Sequence, residues 1–126
     1  MAKWASAAFL DGSLDYLKAN ATHQLLVKAY AAADSYATVT GNACADQAMV
    51  SADFTKSSSG SNRVVTWAAK TAVPLTANSG ASPNNHLAFT DGAAVIYVTD
   101  ETTDQQLYSG NTVDLPSLSY TSAQPT

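Results

Sequence analysis

The sequence predicts a mainly β protein, an antiparallel β-sandwich or partial barrel of about seven short strands with one short N-terminal helix. Two observations support this fold class. After Asn20 the apolar pattern changes from helical spacing to alternation, and β-branched and aromatic residues gather between clusters of Ser, Asn, Gly and Pro. The strand candidates also follow one another every ~10–15 residues without helical crossovers, which is typical of antiparallel sheets.

The helix is predicted over 11–19, where leucines form a single apolar stripe. Asp11 or Ser13 is the expected N-cap, and Asn20 suits the C-terminal end. A helix of about two to three turns is stable only when its apolar stripe packs against another element. The stripe consists of Leu10, Leu14 and Leu17.

The first strands are predicted at Gln24–Tyr30 and, from a weaker apolar pattern, within Ala43–Phe54. Residues 57–62 are rich in Ser, Gly and Asn, and this composition predicts a loop. The next strand, Arg63–Ala69, alternates clearly. The pattern leaves open which side of this strand faces the core, although Trp67 provides the larger driving force for burial.

A hairpin is predicted after the polar loop Asn78–Asn85. The strands His86–Thr90 and Ala93–Thr99 flank Asp91-Gly92, a dipeptide that suits a type I′ turn. A two-residue turn would place two apolar pairs on one face, and a longer loop would shift this register. The predicted pairs are Leu87 with Ile96 and Phe89 with Ala94.

Three short C-terminal segments complete the pattern. Strands are predicted at Gln106–Tyr108 and Thr112–Leu115, joined by a turn at Ser109–Asn111, and a last strand at Leu118–Tyr120. The length of 126 residues and the lack of a linker predict a single β-rich domain over 1–126. Its ends, 1–10 and 117–126, lack long-range periodicity and are expected to form extended arms.

The composition favours binding to other proteins. Only 13% of the residues are charged, about half the usual share, although 46% are hydrophobic. A surface of Ser, Thr, Asn, Gln and Ala costs little to desolvate when it docks. A net charge of −4 and a single arginine, Arg63, argue against nucleic acid as a partner. No apolar window is long enough for a membrane span or a signal peptide, so we expect no membrane partner and synthesis in the cytosol.

The sequence predicts no enzyme, cofactor or metal site. His23 and His86 lie in different segments, and Cys44 has no nearby histidine or second cysteine. Neither a nucleophile elbow nor a phosphate-binding glycine loop is present. The acidic run 100–104 suits either a calcium loop or a solvated turn, and without EF-hand spacing we favour the turn.

Aromatic residues are the candidates for partner binding, because aromatic side chains are enriched at interface hot spots. The alternative is that they belong to the core or its edge. We expect Phe9 and Trp67 in the core. For Trp4 we favour a docking surface, because it lies only three residues from a chain end that would fray unless it were held by another group. The candidate partner-binding residues are Trp4, Phe9, Tyr16, Tyr30 and Tyr36.

Six segments are spread in order over nearly the whole chain: Phe9–Ala21, Ser51–Thr55, Asn62–Thr66, His86–Phe89, Tyr97–Thr99 and Ser109–Val113. Together they resemble a group of small virion proteins encoded by tailed bacteriophages and prophages. The resemblance implies a virion component made in the cytoplasm of a bacterial host. Among such components, a capsid decoration (cement) protein fits best, because these proteins are small, β-rich and present in many copies.

The resemblance implies partners and leaves alternatives. A decoration protein would lie on the capsid exterior and bind the major capsid protein and copies of itself, and by analogy we expect a trimer. A tail or head-to-tail connector component is the first alternative. The second is a host-surface module that binds glycans through Trp4 or Trp67 and the Asn- and Ser-rich loops.

Overall fold

The structure, a computed structural model, describes residues 2–101 and 103–126. It confirms the predicted fold class, since nine strands form antiparallel sheets and a helix lies near the N-terminus, consistent with a β-sandwich. The helices are α1 (Ala7–Asn20) and α2 (Tyr36–Gly41), with a 3-10 turn at Ser51–Asp53. The strands are β1 (His23–Val27), β2 (Ala43–Ala48), β3 (Phe54–Ser59), β4 (Asn62–Trp67), β5 (Lys70–Pro74), β6 (His86–Thr90), β7 (Val95–Asp100), β8 (Thr112–Leu115) and β9 (Ser119–Ser122).

The strands form three antiparallel groups. A four-stranded sheet has the order β2-β1-β6-β7, a three-stranded sheet has the order β3-β4-β9, and β5 pairs with β8. The inner strands β1 and β6 each bury four of their five residues. Three of the five residues in each strand are apolar, and these residues point alternately to the two covered faces of the four-stranded sheet.

The largest side chains of the core lie between the two main sheets and α1. Trp67 of β4 and Phe54 of β3 both contact Phe89 of β6, with ring centroids 4.8 and 5.8 Å apart. Leu14 and Leu17 of α1 join this cluster, which confirms the packing stripe expected for the helix. Val65 and Trp67 are thus the inward residues of β4, the side that the indole was expected to select.

The two faces of the four-stranded sheet meet different neighbours. Leu26 and Leu87 face the β5–β8 pair in one apolar cluster. Leu25 and Ala88, on the opposite face, pack with Val39 of α2. Because neighbouring residues of a strand point to opposite faces, α1 and α2 lie on opposite sides of this sheet.

Helix α1 begins earlier than expected, and its N-cap is Ser6. The Ser6 Oγ accepts a hydrogen bond from the Phe9 N–H at 3.1 Å. Asp11 and Ser13 were the wrong caps because Ala7 and the alanine after it, both strong helix formers, extend the helix toward the N-terminus. The C-terminal end lies at Asn20, as predicted.

The predicted register of the β6–β7 hairpin was wrong. The Asp91 carboxylate accepts hydrogen bonds from the N–H groups of Ala93 and Ala94, at 2.8 and 2.7 Å, and so stabilises a longer loop than a two-residue turn. The shifted register pairs Leu87 with Thr99 and Phe89 with Tyr97.

The predicted loop at 57–62 is instead the tip of a hairpin. Ser59 pairs with Asn62 around a tight turn in which Gly60 has a φ of 62°. The serines before Gly60 lie in β3, an edge strand whose solvent face tolerates polar side chains. The prediction of a loop from composition was therefore wrong, because pairing with β4 determines the conformation of these residues.

Other local differences follow from tertiary contacts. The short elements α2 and β5 were not predicted, and Gln106–Tyr108 is not a strand, although Leu107 is buried. The segments predicted as arms contain regular structure: α1 begins within 1–10, and β9 lies within 117–126 and pairs with β4. Met1 lies outside the described residues.

Candidate interaction surface

Three of the predicted partner-binding residues are exposed at the N-terminal end of the chain. Trp4 and Phe9 are each 77% exposed, and Tyr16 is 54% exposed. Phe9 and Tyr16 lie two turns apart on one stripe of α1, away from the buried leucines. The expectation of a core position for Phe9 was wrong, because the helix begins at Ala7 and places Leu10, not Phe9, against the core.

Trp4 is presented by a fixed backbone. The Gln124 side chain accepts a hydrogen bond from the Ala5 N–H at 2.9 Å and donates one to the Ala5 carbonyl at 2.8 Å. The Lys3 ammonium donates to the carbonyl of Thr126. Both neighbours of Trp4 are therefore tied to the C-terminal segment of the same chain, while the indole itself stays in solvent.

Ion pairs hold α1 against the three-stranded sheet. The Arg63 guanidinium donates to the Asp11 carboxylate at 2.7 Å, and Lys56 lies within ion-pair distance of Asp11 and Asp15. The hydrogen bond from Arg63 lowers the pKa of Asp11, and Lys56 acts in the same direction. The hydrogen bond to Asp15 raises the pKa of Lys56. These contacts fix the orientation of the exposed stripe relative to the domain.

An apolar groove of about 380 Å³ continues this surface. It lies beside α1, at the side of the molecule where the edge strands of both main sheets, β7 and β9, meet. Tyr97 of β7 contacts Tyr120 of β9 there, with ring centroids 5.2 Å apart. The groove is lined by Ser13, Tyr16, Leu17, Ala94, Val95, Ile96, Tyr97 and Tyr120.

Sequence reasoning missed the β7 and β9 residues of this groove. The alternating pattern placed Tyr97 in a strand, but alternation does not show that the strand ends its sheet. The tyrosine at 120 was assigned to a last strand without a partner, and its contact with Tyr97 joins residues 23 positions apart, 97 and 120.

The other two predicted residues lie elsewhere. Tyr30 is half-buried on the α2 side of the four-stranded sheet, where its ring is 5.6 Å from that of His86. Tyr36 is the first residue of α2 and is also half-buried. Since α1 and α2 lie on opposite sides of this sheet, the five aromatic residues do not form one surface.

The histidines and the cysteine occupy separate places. His23 Nδ1 lies 2.8 Å from the Asp46 carboxylate, and His86 Nδ1 lies 3.0 Å from the carbonyl of Asn84. Throughout 2–101 and 103–126, no serine or threonine hydroxyl hydrogen-bonds to either imidazole. Cys44 is buried, and burial raises the pKa of its thiol, which keeps it protonated.

The acidic run at 100–104 is partly engaged in the fold. The Asp104 carboxylate accepts a hydrogen bond from the Asn85 N–H at 2.8 Å, and Asp100 lies 3.7 Å from His86 Nε2. Thr102 lies outside the described residues. Among the residues that the structure describes, no three His, Cys, Asp or Glu side chains are grouped as metal ligands.

Three buried residues carry polar side-chain atoms without a hydrogen bond to the rest of the described chain, and one of these atoms is the Oδ1 of Asn85. Gln24 is fully buried in β1, and neither its Oε1 nor its Nε2 has a partner. The indole Nε1 of Trp67 is likewise without one. Trp67 is only 1% exposed, so the earlier suggestion that it binds a glycan at the surface was wrong.

The comparisons with known proteins add no assignment: no family model, no curated protein and no solved structure matches the chain. Of the helices in the described ranges, neither has the length and apolar character needed to cross a bilayer.

Proposed function

We propose that this chain is a structural component of a tailed-phage particle, a capsid decoration protein that binds the assembled shell of major capsid protein and copies of itself. The observation that carries the proposal is the set of aromatic side chains on and before α1, exposed on a rigidly held element. The resemblance to small virion proteins supplies the biological context for this surface.

Exposed aromatic side chains of this size favour burial against a partner. Burying an aromatic side chain removes about 150–250 Å² from water, and such residues dominate the energetics of many interfaces. Trp4 and Phe9 are more exposed than the tyrosines of the groove. Because Ala5 and Asp11 hold their backbones in place, binding costs little conformational entropy at these positions.

The low content of charged residues also favours binding to a partner. With 13% charged residues, docking displaces water mainly from hydroxyl, amide and methyl groups, and few ions lose their hydration. A protein that binds only the assembled shell stabilises that shell by mass action, because opening the shell would require its release. This mechanism requires contact area and many copies and does not require titrating groups.

The first test of this role is a count of copies. Quantitative mass spectrometry of purified particles measures this protein relative to the major capsid protein. A ratio of the same order as the capsid protein supports a position on the shell. A much lower ratio supports the alternative of a tail or connector component, and absence from the particle contradicts both.

The second test uses variants of the exposed surface. We expect Trp4→Ala and Phe9→Ser to reduce the amount bound to undecorated shells at least tenfold, because each removes a hot-spot candidate that is 77% exposed. Tyr108→Ala is the matched control, since Tyr108 is 51% exposed in a different part of the chain. Equal loss in all three variants, or in none, would contradict the assignment of the surface to α1.

A further inference from the structure

The edges of the sheets differ in how they are protected. The β2 edge is covered, because the Thr76 N–H, which follows β5, donates to the carbonyl of Cys44 at 2.8 Å. The β3 edge is protected by polar and charged side chains: the serines of β3 are exposed, Lys56 adds a charge paired with Asp15 of α1, and at the start of the strand Lys18 donates to the carbonyl of Phe54 at 2.8 Å. Strand β9 has only four residues. These are the devices by which natural sheets prevent edge-to-edge association.

Strand β7 lacks these devices. It has six residues, five of them β-branched or aromatic, and contains neither lysine, arginine nor proline. Its inner side pairs with β6, and within 2–101 and 103–126 no other hydrogen bond reaches the backbone of Val95–Asp100. A long, apolar edge strand with free donors and acceptors is a template for another strand.

The strand is complementary to itself. Two copies of β7 placed antiparallel about a two-fold axis perpendicular to the sheet keep the same faces aligned, so each residue meets one from the same face. Pairing centred on Tyr97 places Asp100 opposite Ala94, and pairing centred on Val98 places it opposite Ile96. In neither register do the two carboxylates meet, so like-charge repulsion across the strands is avoided.

We propose that the β7 edge binds the β7 edge of a second copy, which joins the two four-stranded sheets into one continuous antiparallel sheet of eight strands. The proposal rests on the self-association included in the proposed function, and it specifies where this contact lies. It replaces the trimer expected by analogy with a two-fold pair.

The tyrosine groove gives this contact a hydrophobic component. Tyr97 packs on the α1 side of the sheet, against Phe89 and Tyr120. In the continuous sheet, Tyr97 of the second copy lies on that same side, next to the groove and to Tyr16. The hydrogen bonds of the strands then fix the register, while burial of the tyrosines provides most of the affinity.

The experiment measures self-association of the full chain by sedimentation equilibrium. Thr99→Lys introduces at the edge the charge that natural edge strands use against pairing, on a half-buried side chain of β7. We expect the wild type to form dimers at micromolar concentrations and Thr99→Lys to weaken the dimer at least tenfold. The matched control is Ser57→Lys, which places the same charge on the exposed β3 edge and leaves the dimer unchanged.

A second measurement covers the case in which Thr99→Lys unfolds the domain. Hydrogen exchange of the wild type, compared at low and high protein concentration, is expected to show amides of β7 becoming protected as the dimer forms, with β3 and β9 unchanged. A monomer at all concentrations, a trimer, or a dimer without added protection in β7 would overturn the proposal.

Measuring shell binding distinguishes failure of the β7 contact from failure of the proposed capsid role. If the dimer forms through β7 but Trp4→Ala binds shells as well as the wild type does, the assigned capsid-binding surface is wrong and the pairing stands. If Trp4→Ala loses shell binding while the wild type is monomeric, the pairing is wrong and the capsid role stands.

Discussion

Helix α1 has a group of aromatic residues on each side, one buried in the domain and one exposed to solvent. On the inner side, Phe54, Trp67 and Phe89 are buried with Leu14 and Leu17 of the helix. The outer group, Phe9 and Tyr16 of the helix with Trp4 just before it, lies in solvent. Residue type alone therefore does not distinguish buried from exposed aromatic residues, whereas position relative to the buried leucine stripe does.

The largest expected effect concerns the inner group. Trp67→Ala should lower the free energy of unfolding by about 3–5 kcal/mol, because it removes a fully buried indole and leaves a cavity against Phe89. Urea unfolding followed by circular dichroism measures the change. A loss below about 1 kcal/mol would show that the inner aromatic group does not hold the two sheets together.

The next largest effect is a gain in stability on replacing the buried Gln24. Gln24→Met should raise the free energy of unfolding by about 1–2 kcal/mol, because it removes two buried polar atoms without partners and keeps the length of the side chain. Gln47→Met is the matched control: Gln47 lies opposite Gln24 on β2 but donates to the Ala48 carbonyl at 2.9 Å. Destabilisation by Gln24→Met would indicate that the amide is satisfied in solution, for instance by a buried water.

Acid should destabilise the contacts that hold α1 and the loops. The pKa of Asp11 is lowered by the Arg63 hydrogen bond, and that of Asp91 by the N–H groups of its own turn. Burial raises the pKa of Asp53, but its hydrogen bonds from Lys70 and the Val50 N–H outweigh this effect and leave the pKa lowered.

The sign of the pH dependence follows from these shifts. A carboxyl with a lowered pKa in the folded state stabilises that state above its ordinary value of 3.8, and this contribution is lost as the pH falls through the folded pKa. The free energy of unfolding should therefore decrease as the pH is lowered through the acid range. Asp11→Asn should make this dependence on pH weaker. An unchanged slope in Asp11→Asn would show that the Arg63 contact is not formed in solution.

The smallest expected effect on stability concerns the outer group. Trp4→Ala should change the free energy of unfolding by less than about 0.5 kcal/mol, because the indole is 77% exposed and its neighbours are held through their own contacts. Urea unfolding in parallel with Trp67→Ala provides the comparison. A loss comparable with that of Trp67→Ala would mean that Trp4 packs within the domain and is not available to a partner.

The parts of the fold that the sequence predicted correctly are those that produce a periodic apolar pattern. The leucine stripe predicted the buried face of α1, and alternation with a large indole predicted the inward side of β4, since both signals are periodic. The register of β6–β7 was not predicted, because it depends on the hydrogen bonds of the Asp91 carboxylate. Strand β3 was not predicted, because its pairing with β4 outweighs its serine-rich composition.

The candidate surface was predicted only in part, for a related reason. Aromatic type and closeness to the chain end pointed correctly to exposure of Trp4. The exposure of Phe9 depends on where the helix begins, which Ser6 determines. The groove could not be predicted, because its walls come from α1, β7 and β9 and meet only through the order of strands in the two sheets.

We propose that the outer aromatic group binds the shell, and the amount of Trp4→Ala protein retained on undecorated shells relative to wild type tests this proposal. We expect at least a tenfold reduction with an unchanged free energy of unfolding. Retention equal to that of wild type by a folded Trp4→Ala variant would contradict it.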